Sequence, residues 1–372
     1  MPKPILLSSL FGELTKNVQV RFDTASRLHK QVFDRVIYRD YLDWDTPSIG
    51  LDFEALMGKY NLTIAAATIG LDAKEPIIDP NGLETFKNTV LKHAQTRPLS
   101  VKDYRKILQL LDSKSITDAA KKQQLIDIMW GEVRDVVNAV EAKLDIIFLT
   151  ALSNEGKFTF DTTNNPEGGV RGDVDFKFAT ANSYRSTTQW TEANIENVDC
   201  MEDLQAVLDL AEDKTVLGQI LMAPSKVSYM CRSPKLKKMI FGQDKSASIL
   251  QLAQINQYLE ANDYPTIKKM KRQCNIRGVN GKLTTITPWN ADNIVFIPEG
   301  KLGLVPNAYA DSELKPESDV AYSMYDRIRV SQWNVGETKG ANYGEFTKAE
   351  VMALPTITEG NGIFTLKTVY QQ

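Results

Sequence analysis

Few residues in this 372-residue chain are placed to do chemistry. There are two histidines, His29 and His93, and three cysteines, Cys200, Cys231 and Cys274. The cysteines lie too far apart for a close-spaced metal pair, and their odd number argues against a disulfide framework, so they read as small buried thiols in a reducing compartment. Neither histidine belongs to a His-Glu-x-x-His run, and no Gly-x-Ser-x-Gly elbow occurs. Zinc and triad chemistry therefore lack their usual sequence basis. Asp and Glu are numerous, but no pair has a motif that singles it out as acid and base. The sequence predicts no catalytic, cofactor-binding or metal-ligating residue.

The strongest loop signal is WNADNIVFIPEGKLG, from Trp289 to Gly303. A phosphate-cradling loop needs Gly-Lys-Ser/Thr opening a helix, so that free backbone N–H groups and the lysine converge on the anion. Here Lys301 runs into LGLVP, a second strand. The pattern predicts a corner, in which Pro298 ends one ladder and Gly300 takes positive φ. PEGGVRGDV, beginning at Pro166, likewise lies between strands; its Arg171-Gly172-Asp173 matches an adhesion tripeptide that arises often by chance. Asn61-Leu62-Thr63 is a glycosylation sequon without an export signal to give it meaning. Basic clusters at Arg232, Lys235, Lys237 and Lys238 and at Lys268, Lys269, Lys271 and Arg272 lack the interleaved aromatics of single-strand binders and read as solvated faces. The acidic run Asp311, Glu313, Glu317 and Asp319 could meet such a patch on a neighbouring subunit, setting register and association rate.

The elements around these residues are unevenly distributed. With 42% hydrophobic and 24% charged residues the chain can bury a sizeable core, and its length allows two or three regions. A net charge of -3 leaves any contact with nucleic acid to local patches. Ile5 to Leu10 is too short for a secretory core, and no window approaches the roughly 18 to 20 apolar residues of a bilayer span, so a soluble chain without export signal or membrane contact is expected. Residues 1–50 read as a loose arm that needs something else to pack against. Residues 51–105 read as a two-stranded excursion turning at Asp79 to Gly82, with Lys87, Lys92, His93 and Arg97 leaving neither face fully buriable.

From Ser115 to Leu152, apolar residues at Leu125, Met129, Val133, Val136, Val140, Leu144, Ile147 and Ala151 follow helical spacing. Asp127, Arg134, Asp135, Asn138, Glu141 and Asp145 fall between them as the polar face. Ser115 with Asp118 supplies a start signal, and Asn154 with Gly156 a stop. Two strands, in GKFTFDTT and VRGDVDFKF, come next at hairpin spacing. Helical stretches follow in NVDCMEDLQAVLDLAED, SKVSYMCRSPKLKKMIF and SASILQLAQINQYLEAND. The strands KKMKRQCNIRG and KLTTITPW flank Asn280-Gly281, and the chain closes with FTKAEVMALPTIT and GIFTLKTVY around a hairpin signal at Glu359 to Gly362.

This order of parts resembles the major capsid protein of tailed phages, the Hong Kong 97-type shell fold, in its lambda-like branch. LTALSNEGKFTFD is similar to that branch's helix running into a Gly-Lys strand. Trp190 in STTQWTEANIENVDCMEDLQ resembles the Trp at the entry to the axial domain, with an acidic helix soon after it. GKLTTITPWNADNIVFIPEGKLGLVP and VMALPTITEGNGIFTLKTV resemble its later strands and turns, although the Asp-Pro pair often found before the final strands is absent from GETKGANYGEFT. The resemblance implies an α+β fold with an N-terminal arm (1–50), an extended loop (51–105), a peripheral domain with a spine helix (106–190), a mixed α/β axial domain (191–325) and return strands of the peripheral domain (326–372). It implies identical subunits as partners, in hexamers and pentamers of an icosahedral head around double-stranded DNA, assembled in the host cytoplasm. Portal and scaffolding proteins, a decoration protein and nonspecific contact with packaged DNA belong to the same expectation, the scaffold on a separate chain. A shell enclosing cargo enzymes, as in encapsulins, and a cytoplasmic α/β enzyme with a phosphate ligand are the alternatives.

Overall fold

The computed structural model describes residues 36–57, 84–98, 105, 109, 112, 118–166, 170–212, 214–242, 249–278, 280–335 and 344–371. A helix over Asp118–Ser153, 36 residues and so about 54 Å long, runs through the molecule. Six residues of the predicted stripe are buried, Val133, Val136, Val140, Leu144, Ile147 and Ala151 being all at most 2% exposed, while the side chains of Leu125 and Met129 lie outside the described residues. Its expected start at Ser115 lies outside the described residues. Its end is as the sequence indicates: Glu155 (φ 56°) and Gly156 (φ 81°) turn left-handed, and Gly156 N–H returns to the Ala151 carbonyl at 2.8 Å. Gly156 also admits the Phe178 ring, which a Cβ would meet at 2.6 Å.

Two five-stranded sheets organise the rest. In the first, strands run in the order Ser183–Arg185, Phe364–Lys367, Asn293–Pro298, Leu217–Met222 and Thr266–Lys269, antiparallel at the two inner pairs and parallel at the two outer ones. Every residue of Asn293–Pro298 is buried, which accounts for its unbroken apolar run: a central strand covered on both faces has no reason to alternate. Its side chains are dealt to two cores. Ile294 and Phe296 pack with the helices Cys200–Ala211, Pro224–Arg232, Pro234–Phe241 and Leu252–Ala261, whereas Val295 and Ile297 join the core built on the long helix.

The second sheet is antiparallel and lies against the long helix. Gly344–Ala353 is flanked by Ile328–Val335 and Leu91–Pro98, Ala321–Tyr325 forms the far edge, and Asn307–Ala308 pairs at Met352 and Ala353. Val330, Ala349 and Val351 point into the core shared with Val136, Val140 and Leu144.

Three expectations change. Leu91–Pro98 is a strand, but it pairs with Gly344–Ala353 instead of extending the excursion, and His93 is buried there. The end of the expected loose arm is core: Val36, Ile37, Tyr38, Tyr41 and Leu42 are all at most 4% exposed, with Leu42–Trp44 pairing in parallel with Gly303–Val305. The C-terminal pair is no hairpin, because Thr356–Ile357 pairs with Gly303–Val305 while Phe364–Lys367 enters the first sheet. In each case burial on the far side came from a segment remote in sequence.

The other pairings follow the sequence. Asp52–Met57 pairs with Glu84–Thr89, Lys157–Phe160 with Gly172–Asp175, and Cys274–Arg277 with Leu283–Ile286, where Gly281 takes φ 74°. The turn expected at Asp79 to Gly82 lies outside the described residues. Val136→Asp would place an unpaired charge at a 1% exposed site. It should cost on the order of several kcal/mol, seen as loss of soluble protein or a collapse in thermal midpoint, whereas Val136→Ile, which keeps the site apolar, should cost only about 1 to 3 kcal/mol and stay soluble.

Candidate functional site

The corner Pro298 to Gly303 is a turn between strands, as its sequence predicts. Gly300 has φ 95° and Gly303 starts the next strand against Thr356 and Ile357, so tightly that a Cβ would lie 2.2 Å from the Thr356 carbonyl oxygen. Lys301 serves this chain and not a phosphate: its Nζ donates to the Arg39 carbonyl at 3.0 Å and lies 3.1 Å from Asp43 Oδ1. The adhesion-like tripeptide is also engaged, Asp173 accepting from Thr159 Oγ1 at 2.6 Å and Arg171 Nη1 donating to the Asn165 and Val170 carbonyls.

The groups most able to do chemistry are locked in packing. His93 bonds through Nε2 to the Ala353 carbonyl at 3.1 Å, and burial lowers its pKa to about 4. Burial pushes the Cys200 thiol up to about 12. Among the described residues no three His, Cys, Asp or Glu side chains converge to share a metal, and no helix is long and apolar enough to cross a membrane. A hollow of about 520 Å³ is lined by Lys157, Arg185, Lys177 and Lys367 together with Glu155 and Asp175. Its charges are partly spent on one another: Lys367–Glu155 is 2.7 Å and Lys177–Asp175 is 3.3 Å.

The densest polar constellation lies where the sequence predicted a solvated helix face. Glu141 and Asp145 are both fully buried. Arg39 donates from Nε and Nη2 to Glu141 Oε1 at 3.0 and 2.5 Å and from Nη1 to Asp326 Oδ2 at 2.6 Å. Tyr38, Trp44 and Tyr325 surround its guanidinium, with ring centroids 5.5, 5.5 and 5.7 Å away. Tyr38 Oη donates to Glu141 Oε2 at 2.7 Å, and burial, reinforced by that carboxylate, drives the phenol well above its ordinary pKa. Asp145 accepts from the Ile37 and Tyr38 backbone N–H groups and faces Arg272 at 3.0 Å. Burial raises its pKa to about 7, outweighing Arg272 and the two N–H groups. The missed signal is Ile146-Ile147-Phe148-Leu149: four consecutive apolar residues in a helix bury it all round, polar neighbours included.

A second constellation is centred on Trp190. Its indole N–H donates to Asp203 Oδ2 at 2.7 Å, on the acidic helix Cys200–Ala211 whose N-cap is Asp199, and its ring stacks on Tyr229 at 5.7 Å. The basic clusters are divided by the fold. Arg272 is largely covered against Asp145, Lys268 donates to Tyr41 Oη at 2.9 Å, Arg232 pairs with Glu192 at 2.5 Å, and Lys235 bonds to the Asn197 carbonyl at 2.7 Å. Lys238, Lys269 and Lys271 stay exposed. From the acidic run, Asp311 pairs with Lys92 at 3.2 Å and Glu313 caps its own short helix by accepting from Ala310 N–H.

Apolar side chains remain at the surface around the base of the excursion. Ile49, Leu51, Tyr309 and Leu314 are exposed, near the bridge of Ser48 with Ala308 and the bond from Val90 N–H to the Leu51 carbonyl. A long helix against an antiparallel five-stranded sheet, joined to a second sheet with its own helical core, is the mixed helix-and-sheet fold of Hong Kong 97-type capsid proteins. A crystal structure of a protein described as a capsid protein of an Escherichia coli CFT073 prophage is similar, at TM-score 0.55 and 14% identity over 93% of this chain and 97% of that one. A phage-related protein from Bordetella bronchiseptica RB50 is similar at TM-score 0.51 and 9% identity, over 94% and 96%. No curated protein matches the chain. The phage major capsid protein E family matches residues 84–367, and the chain belongs to it. It is a phage major capsid protein, a structural protein whose identical copies form the virion shell.

Two buried titrating groups, Asp145 and His93, oppose each other. Asp145, raised to about 7, contributes stability that is present at low pH and lost as pH rises through about 7. His93, lowered to about 4, contributes stability present above its unfolded value near 6.5 and lost as pH falls towards 4. Between pH 5 and pH 6.5 the two slopes offset. Denaturant midpoints should therefore rise with pH in Asp145→Asn and fall with pH in His93→Gln, with the unmodified protein nearly flat.

Proposed function

We propose that this subunit builds hexamers and pentamers of an icosahedral head around double-stranded DNA. Residues 1–50 act as an arm, although its last turn is anchored at home. Residues 51–90 form a loop laid over an adjacent copy. The peripheral domain takes in 106–190 with the spine helix, joined by the strand Leu91–Pro98 and the return strands of 326–372, and the axial domain takes in 191–325. Assembly takes place in the host cytoplasm with portal and scaffolding proteins, and a decoration protein is compatible with the surface. The protein catalyses no reaction. Exposed Lys238, Lys269 and Lys271 are candidates for nonspecific contact with packaged DNA, which would weaken with salt.

The observation that carries this reading is the exposed apolar group Ile49, Leu51, Tyr309 and Leu314 beside the root of the Asp52–Met57 and Glu84–Thr89 pair. A single chain leaves that surface wet; a neighbouring copy would cover it. Weak contacts suffice, because symmetry repeats them, and a net charge of -3 adds little self-repulsion.

The experiment is negative-stain microscopy of the expressed chain. Shells, tubes or ring-shaped capsomers are expected. Replacing residues 58–83 by a short Gly-Ser linker spares both paired strands, so the variant should keep the secondary structure and thermal midpoint of the parent but form no stable shells. Unchanged shells from it would remove the proposed role of the loop, and a monodisperse monomer from the parent at high concentration would remove the assembly reading itself.

A further inference from the structure

Asp145 divides its contacts between its two oxygens. Oδ1 accepts both backbone N–H groups, from Ile37 and Tyr38, each at 2.9 Å. Oδ2 lies 3.0 Å from Arg272 Nε, yet both atoms are buried without an aligned hydrogen bond. That contact is therefore an attraction between charges more than a directed bond, and it exists only while the carboxylate is ionised. A proton on Oδ2 would cancel it and leave the two bonds to Oδ1 in place.

Arg272 sits in the short linker 270–273 between the strand Thr266–Lys269 of the first sheet and the hairpin that starts at Cys274. Met270 N–H bonds to the Met222 carbonyl at 2.9 Å, fixing the start of the linker to the sheet. Arg272 then tethers the linker to the long helix. With Asp145 neutral, the Arg272 side chain, only 10% exposed, becomes a buried cation without a partner, and that cost favours its moving out to water.

We infer that Asp145 is a proton-operated clasp: ionised, it holds the 270–273 linker to the long helix through Arg272, and protonated, it frees the linker while residues 37–38 stay fixed. The charged and titratable groups around it are Glu141 on its own helix, Tyr38 and Arg39 on the segment packed across that helix, Arg272 on the linker, and Asp326 beyond Arg39. Burial, with a smaller push from Glu141, favours the neutral form, and Arg272 with the two N–H groups the ionised one. The resulting balance near pH 7 puts the clasp within reach of ordinary changes in pH. The global stability trend derived above concerns burying the carboxylate on folding; the clasp concerns where Arg272 goes once the chain is folded. It is a property of one subunit, and its failure would leave the shell reading intact.

Hydrogen–deuterium exchange of the full-length protein at pH 6 and pH 8, with rates corrected for intrinsic exchange, tests it. Amides of Met270 and of Cys274–Arg277 should be severalfold better protected at pH 8, while those of Ile37 and Tyr38 stay the same. Asp145→Asn keeps an oxygen for the two N–H groups but carries no charge, so its linker should exchange at the faster pH 6 level at both values. Arg272→Gln should behave alike and decides the matter if the first variant fails to fold. Equal protection at the two pH values in the unmodified protein, or a pH difference that persists in either variant, would overturn the clasp.

Discussion

Two carboxylates one helical turn apart, Glu141 and Asp145, set the constraint on which the rest of this subunit depends. Burying them is costly unless each finds charge and hydrogen-bond partners. The partners come from three places: Tyr38, Arg39 and two backbone N–H groups from the N-terminal side, Arg272 from the linker after the first sheet, and Asp326, through Arg39, from a turn of the second sheet. Apolar packing alone would tolerate these segments in several registers. The charge cluster accepts one while both carboxylates are ionised, because a shift of any segment then strands a buried ion.

The strand Asn293–Pro298 plays the complementary part in the apolar architecture. Alternate residues face different cores, so the strand is a shared wall: Ile294 and Phe296 complete the helical side, Val295 and Ile297 the side built on the long helix. A wall of this kind transmits displacement, since neither core can repack without the other. The corner that follows then delivers the chain to Gly303, where only a residue lacking Cβ allows the backbone of Thr356 to close in.

For a shell protein these features divide the labour. The interior is over-determined, by charges in one place and by a shared strand in another, so the subunit can act as a rigid tile. In the proposed assembly, association falls to surface side chains around the excursion, where many modest contacts would be multiplied by symmetry. A tile whose interior yielded on contact would spend binding energy on its own deformation.

The sequence by itself determined the local elements. The helix and its left-handed stop at Gly156, the hairpins at 157–175 and 274–286, and the corner after Pro298 follow from periodicity, capping and turn chemistry, which act within a few residues. The order of those elements also indicated the shell fold. What only the tertiary structure decided is which side chains face which partner across long separations. Glu141 and Asp145 look like a solvated stripe until the segment 36–44 lies over them, and the strand Leu91–Pro98 looks like part of a projecting loop until Gly344–Ala353 lies beside it. Phe364–Lys367 looks like the second arm of a hairpin until Asn293–Pro298 claims it. The physical reason is the same each time: spacing along a chain reports one face of an element, while burial of the opposite face depends on residues far away in the sequence.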